Sequence, residues 1–450
     1  MSVRRGLVVA LALLGATVGT APLAHAQSQP VRQDFNGDGH EDQVTGVTNG
    51  KVAGKTRAGY VAVVYGSAKG PGTKKVYTQA SPGVPGSPES HDMFGGHLTA
   101  GDFDGDGITD LLVETDNEQW TYGGIARDGN SIVLWGSRSG LSSGTVLPVL
   151  TDALGQGGRY IAGDFNGDGH MDLAKDGEVR YGPFGRDGAA ASVRQGVQLD
   201  TNQMITEIAA GDVDGDGITD VVALSRGYEY VEDRKYGYTV SVARGSRDGL
   251  LAPTVVAELS TAEPWQESLA VGNVDGDRPA EIVTGGENDL RIIDGGSTRV
   301  ITQNTPGVPG ATEKADAFGS LVAVGDVDGD GYGDILAGAP GEDFDGRTDA
   351  GTFTVVPGGP DGPTGAGSRA YSQASPGVPG SAETRDRFGT RLQVIDSNGD
   401  GRPEPVVAAV GENSWAGGVW FFGPKSTISY GGGSFGMTTA ETRFGDRFTE

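Results

Sequence analysis

The sequence contains no cysteine and few basic residues: 34 Lys and Arg stand against 60 Asp and Glu, for a formal net charge of −26. Without cysteine, a stable fold has to come from a large core, from oxygen-bound metals, or from both. The negative charge disfavours nucleic acids and anionic lipids as partners. Helix-type periodicity is scarce, whereas 79 residues are glycine. This combination favours short strands joined by turns.

Long apolar runs are missing except near the N-terminus, where Arg4 and Arg5 precede an apolar stretch over residues 7–18. Ala24-His25-Ala26 then has the small-x-small pattern of a secretory cleavage site. The stretch is too short for a membrane-spanning helix. We therefore expect a signal peptide over residues 1–26 and a single secreted, extracellular domain over residues 27–450. We also expect a monomer, with no membrane insertion.

A nine-residue acidic loop occurs seven times, and its copies begin at Asp34, Asp102, Asp164, Asp212, Asn273, Asp326 and Asp396. The fullest copies read Asp-x-Asp-Gly-Asp-Gly-x-x-Asp, with side-chain oxygens at positions 1, 3, 5 and 9. Position 7 can offer its backbone carbonyl. Position 4 is always glycine, and position 6 is glycine in six copies. Because Ca²⁺ takes six to eight oxygen ligands, the loop predicts a calcium site.

Other calcium loops fit this pattern less well. An EF-hand or dockerin loop requires an acid at position 12, where the second copy has Val113. Thrombospondin-type arrays are rich in cysteine. RTX repeats run back to back, whereas successive copies here start 48 to 70 residues apart.

Each acidic loop lies between two short apolar segments, such as residues 98–100 and 111–113, which predicts a β-hairpin. A third strand and a weaker fourth one follow in nearly every repeat, as at residues 132–135 and 145–150. Four antiparallel strands per repeat are typical of a propeller blade. We therefore predict an all-β fold: a seven-bladed β-propeller of four-stranded antiparallel blades, with the acidic loop between strands 1 and 2.

A second periodic signal, a Phe-Gly pair, stands eight residues before the loop. The pairs are Phe94-Gly95, Phe318-Gly319 and Phe388-Gly389, with Gln156-Gly157, Met204-Ile205 and Trp265-Gln266 in the same place in other repeats. For the first repeat, that place is Ala26, which cleavage would remove. The missing pair occurs near the C-terminus as Phe444-Gly445. We therefore predict that residues 444–450 dock onto the first blade and close the ring.

Together with Gly338-Ala339-Pro340 in the sixth repeat, these motifs resemble FG-GAP repeats. Such repeats form the seven-bladed propeller of integrin α-subunits and occur in many secreted bacterial proteins. Residues 81–86, 305–310 and 375–380 are similar to segments of actinobacterial members. The resemblance covers essentially all of residues 27–450. It implies that Ca²⁺ is bound by the side chains at positions 1, 3, 5 and 9 and by the carbonyl at position 7.

The resemblance thus implies about six Ca²⁺ sites. Their predicted ligands are Asp34, Asn36, Asp38, His40 and Asp42; Asp102, Asp104, Asp106, Ile108 and Asp110; Asp164, Asn166, Asp168, His170 and Asp172; Asp212, Asp214, Asp216, Ile218 and Asp220; Asp326, Asp328, Asp330, Tyr332 and Asp334; and Asp396, Asn398, Asp400, Arg402 and Glu404. The imidazoles of His40 and His170 are predicted to be incidental. The fifth loop (Asn273, Asp275, Asp277 and Glu281) is not counted, because Arg278-Pro279 replaces its glycine turn and Asn273 is neutral.

No catalytic residue is predicted. Residues 432–436 match the Gly-x-Ser-x-Gly nucleophile elbow, but that elbow needs a strand-to-helix turn and a later histidine, and no histidine follows His170. We expect a non-catalytic binding or scaffold module for an extracellular protein or glycan. A carbohydrate-active enzyme, either a polysaccharide lyase or a glycosidase, is the alternative.

The ligand-binding face can also be predicted. In a four-stranded meander, loops 1–2 and 3–4 emerge on one face and loops 2–3 on the opposite face. The longest and most aromatic 2–3 loops cover residues 116–130, 227–238 and 411–417, and their aromatic side chains are Trp120, Tyr122, Tyr228, Tyr230, Tyr236, Tyr238 and Trp415. Because binding residues usually lie on such loops, the face opposite the acidic loops is the candidate binding face; the alternative is that these aromatic side chains pack within their own loops.

Overall fold

The computed structural model describes residues 33–122, 125–148, 159–200, 204–227, 236–261, 268–286, 288–313 and 315–449. Within these residues, 28 strands form seven four-stranded sheets, and every strand pair inside a sheet is antiparallel. The predicted seven-bladed β-propeller is therefore confirmed. No helix in the described part of the chain is long and apolar enough to cross a membrane.

The blades are numbered by their acidic loops, and the strands follow in chain order. Blade 1 contains β1 (Gln43–Val47), β2 (Tyr60–Val64) and β3 (Lys74–Tyr77). Blade 2 contains β4 (Phe94–Gly101), β5 (Asp110–Tyr122), β6 (Ile125–Leu134) and β7 (Gly144–Val146). Blade 3 contains β8 (Ile161–Gly163), β9 (Asp172–Lys175), β10 (Glu178–Tyr181) and β11 (Ser192–Gln195). Blade 4 contains β12 (Met204–Gly211), β13 (Asp220–Arg226), β14 (Tyr236–Ala243) and β15 (Thr254–Thr261).

Blade 5 contains β16 (Ser268–Gly272), β17 (Glu281–Gly285), β18 (Leu290–Asp294) and β19 (Ser297–Ile301). Blade 6 contains β20 (Val322–Gly325), β21 (Asp334–Ala339), β22 (Thr352–Val356) and β23 (Arg369–Tyr371). Blade 7 contains β24 (Phe388–Ile395), β25 (Glu404–Ala409), β26 (Gly418–Phe422) and β27 (Thr427–Tyr430). It also carries a one-turn element, α1 (Glu412–Trp415), and is followed by a 3₁₀ turn, η1 (Gly432–Phe435). The final strand, β28 (Arg447–Phe448), belongs to blade 1.

Burial differs systematically across each blade. The second strands, such as β1, β17 and β21, are buried at every residue, because neighbouring blades cover both of their faces. A strand buried on both faces favours continuous apolar and β-branched sequence. The fourth strands are short and exposed, as in β3 and β11. Charged residues on these outer edges discourage pairing with other chains.

The hydrophobic core is divided between the blades. Seven clusters of described buried residues each join two neighbouring blades, and the cluster between blades 7 and 1 completes the circle. Phe94, Phe318, Phe388 and Phe444 are each 0% exposed within these clusters. A blade therefore has little core of its own, and packing against both neighbours stabilises it.

The Phe-Gly pairs explain how blades approach each other. Gly95, Gly319 and Gly389 have φ between 84° and 94°, a region that favours glycine. The carbonyl of Gly95 lies against the Cα of Gly46, and that of Gly389 lies against Gly338. A Cβ at Gly46 or Gly338 would collide with these carbonyls. The glycine of the Gly-Ala-Pro triplet is therefore a close-packing residue.

Ring closure by the C-terminus is confirmed. Arg447 and Phe448 of β28 pair with Gly46 and Thr45 of β1. Phe444 also forms a parallel bridge with Gly417 of blade 7. The first blade therefore takes its inner strand from the C-terminal end of the chain.

Three details differ from the expectations. Residues 116–130 are mostly strand, because β5 and β6 extend into a long hairpin in which Trp120 pairs with Arg127. Tyr238 lies in β14 and is 4% exposed, so its assignment to a binding loop is wrong. Met204, at the Phe-Gly position of blade 4, is 37% exposed and does not fill the core as phenylalanine does. The predicted signal peptide, Gln156-Gly157, Trp265-Gln266, Tyr228 and Tyr230 lie outside the described residues.

Closure can be tested at Phe444. Phe444→Ala should destabilise the ring by about 3–5 kcal/mol, because it removes a buried aromatic ring from the junction of blades 7 and 1. We expect the melting temperature to fall by roughly 5–15 °C. Phe344→Ala is the matched control, since Phe344 is 36% exposed. Equal melting temperatures for the two variants would contradict closure by this strand.

Candidate functional site

Each acidic loop is anchored by the buried carboxylate at position 9. In blade 2, Asp110 Oδ2 accepts a hydrogen bond from the Phe103 N–H at 3.0 Å, and Oδ1 accepts one from the Gly136 N–H at 2.7 Å. Phe103 is position 2 of the same loop. Gly136 lies in the loop 3–4, two residues after the end of β6. The same pair of bonds occurs at Asp42, Asp172, Asp220 and Asp334. One side chain thus joins the loop 1–2 to the loop 3–4 of its blade.

The two glutamates at position 9 are anchored differently. Glu281 Oε2 accepts from the Val274 N–H at 2.7 Å, but its buried Oε1 has no hydrogen-bond partner. In blade 5, β18 and β19 are joined by only Gly295 and Gly296, so no loop is long enough to provide one. Glu404 accepts from the Ser397 N–H at 3.1 Å and contacts Asn398.

The other acidic positions are held by the loop's own backbone. Asp102 accepts hydrogen bonds from the N–H groups of Gly105, Asp106 and Gly107 at 2.8–3.0 Å. Asp106 in turn accepts one from the Ile108 N–H at 2.9 Å. These bonds bend the loop into a tight turn and orient its carboxylates before any cation binds.

The carboxylates converge as a cation site requires. Asp102, Asp104 and Asp110 bring ligand oxygens within 4.8 Å of one another, and so do the equivalent residues of blades 4 and 6, Asp212, Asp214, Asp220, Asp326, Asp328 and Asp334. The fifth loop does the same through Asp275, Asp277 and Glu281. This all-oxygen, multiply charged donor set fits a hard divalent cation. The sequence left the fifth loop in doubt because of its altered turn, and in the structure its three acids converge like those of blades 2, 4 and 6.

Burial strongly affects the proton affinity of the position-9 carboxylates. It raises the pKa of Asp42 and Asp110 to about 8. It raises the pKa of Asp172, Asp220, Glu281 and Glu404 to about 7, and that of Asp334 to about 6. The neighbouring loop carboxylates raise these pKa values further, whereas the backbone N–H groups oppose the rise. A cation in the loop would supply the positive charge that these buried groups lack.

The acidic loops are also hydrogen-bonded to one another around the ring. The N–H at position 8 donates to the position-1 carbonyl of the preceding loop, as from Thr109 to Asp34 at 3.1 Å. Ala280 and Gly333 make the same bond to Asp212 and Asn273. A second bond runs from the loop 3–4 to the position-2 carbonyl, as from Phe184 to Phe103 at 2.7 Å. Six of the seven junctions between described loops have at least one such bond.

The side chain at position 7 has a role that the sequence did not indicate. It packs over the position-4 glycine of the preceding loop: Ile218 lies over Gly167, Tyr332 over Gly276, and His40 over Gly399. A Cβ at Gly276 would lie 2.7 Å from the Tyr332 ring. By contrast, a Cβ at the position-6 glycine Gly331 would meet nothing within 4 Å. His170 similarly faces Gly105, so the imidazoles predicted to be incidental to the calcium site take part in packing between loops.

Arginines contact two of the candidate sites: Arg244 Nε lies 3.3 Å from Asp214 Oδ2 in blade 4, and Arg186 lies at the site of blade 2. The Arg186 guanidinium contacts the carboxylates of Asp104 and Asp106, the latter at 2.9 Å. Its Cζ lies 4.8 Å from the centroid of the Trp135 ring, which fixes its position. A cation in the second loop would therefore share two of its carboxylates with Arg186.

On the opposite face, the 2–3 loop of blade 7 is a left-handed turn. Asn413, Ser414 and Trp415 have φ of 51°, 60° and 67°. Each residue in this conformation costs about 1–2 kcal/mol relative to a right-handed turn. Hydrogen bonds from the Trp415 N–H to the Gly411 carbonyl at 3.0 Å and from the Gly417 N–H to the Glu412 carbonyl at 3.0 Å hold it. The predicted aromatic residue Trp415 is thus placed on this face by a rigid turn.

Two sets of residues contain side chains that can act in catalysis, but neither set forms a catalytic site open to solvent. Residues 432–436 form a 3₁₀ turn after β27, whereas a nucleophile elbow leads into an α-helix. Tyr160, Glu178 and Arg180 form a hydrogen-bonded cluster between blades 2 and 3. All three are at most 4% exposed, so they stabilise the blade interface and do not contact solvent.

Comparisons with known proteins agree with this architecture. The FG-GAP repeat model matches residues 94–134 and 318–356, and a model of FG-GAP-like repeats matches residues 34–113. The protein is a seven-bladed β-propeller, and it carries FG-GAP repeats. The predicted repeat type is therefore confirmed.

Integrin α-subunits are among its relatives. Integrin alpha pat-2 of Caenorhabditis briggsae is 29% identical over 268 residues, which are 51% of this chain and 20% of that protein. Integrin alpha-PS2 of Drosophila melanogaster is 27% identical over 210 residues, 41% of this chain and 14% of that protein. The chain thus matches a fifth or less of the length of these relatives.

A solved lectin structure has a similar fold. It is an Agrocybe aegerita lectin described as recognising non-reducing terminal N-acetylglucosamine. The TM-score is 0.52 at 14% sequence identity, and the superposition covers 87% of this chain and 96% of the lectin. At this identity the likeness concerns the fold.

The contact between neighbouring loops can be tested with two glycines. Gly276→Ala and Gly331→Ala both place an alanine at positive φ, 83° and 95°, at a cost of about 1–2 kcal/mol each. Gly276→Ala additionally pushes against Tyr332, which should add about 1–3 kcal/mol. Urea unfolding should therefore show the larger loss for Gly276→Ala. Equal losses would mean that the neighbouring loop does not constrain position 4.

The buried carboxylates predict an unusual pH dependence for the metal-free protein. Unfolded carboxyl groups titrate near pH 4, whereas the position-9 groups have folded pKa values of about 6 to 8. Between about pH 4 and about pH 8, the folded state therefore binds more protons than the unfolded state. In EDTA, the free energy of unfolding should therefore be largest near pH 5 and should fall as the pH rises to about 8.

Thermal melts from pH 5 to 8 measure this effect. Asp110→Asn removes one of these groups while leaving the overall surface charge nearly unchanged, so its melting temperature should fall less steeply with pH. A melting temperature that rises from pH 5 to 8 in EDTA would show that the position-9 carboxylates do not have raised pKa values in the folded protein.

Proposed function

We propose that the acidic loops bind Ca²⁺ and that the protein is a secreted propeller which calcium stabilises. The oxygen-only donor sets, with ligand atoms within 4.8 Å in four loops, support this proposal. Positions 1, 3, 5 and 9 would supply side-chain oxygens and position 7 its carbonyl. The millimolar Ca²⁺ of extracellular fluids would suffice for sites of the affinity typical of extracellular modules.

Calcium would act mainly on stability. A site with a Kd near 10⁻⁴ M contributes about 1.4 kcal/mol at millimolar Ca²⁺, so six independent sites would contribute on the order of 8 kcal/mol. Bound Ca²⁺ would also neutralise the buried position-9 carboxylates. Because the loops are hydrogen-bonded to one another, each occupied site would support the backbone of the next.

Chelation provides the test of calcium binding. EDTA should lower the melting temperature by more than about 10 °C, and 1 mM Ca²⁺ should restore it. Mg²⁺ at the same concentration should restore less, since it requires a tighter octahedral geometry. A shift below about 5 °C would mean that the loops act as turns without bound metal.

We further propose that the ring is a non-catalytic module that binds an extracellular protein or glycan through the face opposite the acidic loops. The observation that carries this proposal is the strained turn that places Trp415 on that face. Left-handed backbone at non-glycine residues is concentrated at functional sites. The integrin relatives and the lectin with a similar fold are consistent with binding, and the proposal does not rest on them.

A binding screen in the presence of Ca²⁺ tests this function. The purified protein would be applied to glycan arrays and extracellular-protein arrays, and the same glycans would be assayed for released reducing or unsaturated sugars. Retention that Trp415→Ala abolishes, without product release, is the expected result. Product release would establish the carbohydrate-active enzyme instead.

A further inference from the structure

Two arginines contact the Trp415 ring on the face opposite the acidic loops, and a third lies near them in the sequence. The Cζ atom of Arg443 lies 4.9 Å from the centroid of the Trp415 ring, and that of Arg387 lies 5.5 Å from it. Arg385 lies two residues before Arg387, and all three arginines are exposed. These residues come from the 6–7 connection, the 2–3 loop of blade 7 and the C-terminal segment. The fold thus brings together residues from three separate parts of the chain.

These arginines lack an anionic partner. Within the described residues, no carboxylate forms an ion pair with Arg385, Arg387 or Arg443. Two buried or half-buried acids nearby are engaged elsewhere: Asp386 accepts the Glu383 N–H, and Glu412 accepts from Gln373 at 2.6 Å and from Asn413 at 2.7 Å. In a chain with a net charge of −26, exposed guanidinium groups that form no ion pair and meet at one indole ring, as Arg387 and Arg443 do, indicate a site for an anion.

The backbone holds the cluster in a strained arrangement. Arg387 and Arg443 have φ of 57° and 51°, as left-handed as Trp415. The Arg443 N–H donates to the Trp415 carbonyl at 2.9 Å, and the Arg387 N–H donates to the Asp349 carbonyl at 3.0 Å. The guanidinium groups and the indole are therefore preorganised.

Blade 1 provides an internal comparison. Arg57 occupies the position of Trp415, with φ 54°, and Met93 occupies the position of Arg443, also with φ 54°. Met93 likewise donates its N–H to the Arg57 carbonyl, at 3.0 Å. The backbone motif is thus shared between blades, whereas the aromatic ring flanked by arginines is a feature of blade 7.

We propose that Arg385, Arg387, Trp415 and Arg443 form a binding site for a uronate-bearing oligosaccharide. A planar guanidinium group binds a carboxylate through two parallel N–H bonds. The cation–π contacts with Trp415 hold the guanidinium groups of Arg387 and Arg443 in place. The exposed Asn413 and Ser414 stand beside them with an amide and a hydroxyl that can pair with sugar hydroxyls.

The size of the cluster favours a sugar over an acidic protein. A protein interface typically buries about 800 Å² on each partner, and one of that size would extend beyond the arginines onto a chain with a net charge of −26. A short oligosaccharide can stay within the cluster and present one or two carboxylates. This inference rests on the proposed binding function and specifies the ligand class and the residues.

Calorimetry with a hyaluronan octasaccharide tests the site, with the same octasaccharide carrying reduced carboxyl groups as the neutral probe. In 1 mM Ca²⁺, the wild type should bind the uronate form at least about tenfold more tightly than the reduced form, and the preference should shrink as salt rises. Arg387→Gln combined with Arg443→Gln should remove that preference. Trp415→Ala should weaken binding of both probes.

Arg57→Gln is the matched control, because it removes a charge from the same face and from the equivalent backbone position. It should leave affinity within about twofold. Melting curves of all variants within about 3 °C of the wild type would show that the fold is kept. If the arginine pair does not keep the fold, each single variant takes its place.

Four results would overturn the inference: no measurable binding of the octasaccharide, equal affinity for both probes, equal losses in Arg57→Gln and the arginine pair, or arginine-dependent binding of a deca-glutamate peptide in place of the sugar. If another glycan or protein is retained independently of these arginines, the inference fails while the proposed binding function stands. If nothing at all is retained in the screen, the proposed function fails as well.

Discussion

The buried carboxylate at position 9 is the group on which each blade depends. In five blades it accepts one N–H from its own loop and one from a glycine one or two residues after the third strand, so a single side chain fixes the positions of two loops. A buried carboxylate is costly unless its charge is compensated. Backbone N–H groups provide part of that compensation, and a proton or a cation is needed for the rest. Stability of the fold and occupancy of the loops are therefore linked through the same atoms.

The same loops connect the blades. Their backbone bonds run from one loop to the next, and the position-7 side chain of each loop packs over the position-4 glycine of its neighbour. Repeat proteins generally gain stability from interfaces between neighbouring units. Here those interfaces have a hydrophobic layer between the blades and a polar layer at the acidic loops. Because β28 joins β1, the chain of interfaces has no free end, and every blade packs against two neighbours.

The rigid ring has two different faces: one carries the acidic loops and the other carries the 2–3 loops. On the face with the acidic loops, the loops are hydrogen-bonded to one another. On the opposite face, the turn at Asn413–Trp415 can hold a left-handed conformation because both of its ends are tied to blade 7. A scaffold fixed by one set of loops can thus present variable residues on the other set.

The sequence alone determined the class of fold, the number of blades and the strand that closes the ring, because these follow from local patterns: an oxygen-rich turn, apolar strands and a Phe-Gly pair at a constant offset. It also located the residues of the acidic loops. Only the tertiary structure showed that Glu281 reaches its site, that His40 and Ile218 pack on neighbouring loops, and that Tyr238 is buried. Only the tertiary structure brought Arg387 and Arg443 to Trp415. These contacts join residues from different blades, and their distances depend on how the ring closes, which no local pattern encodes.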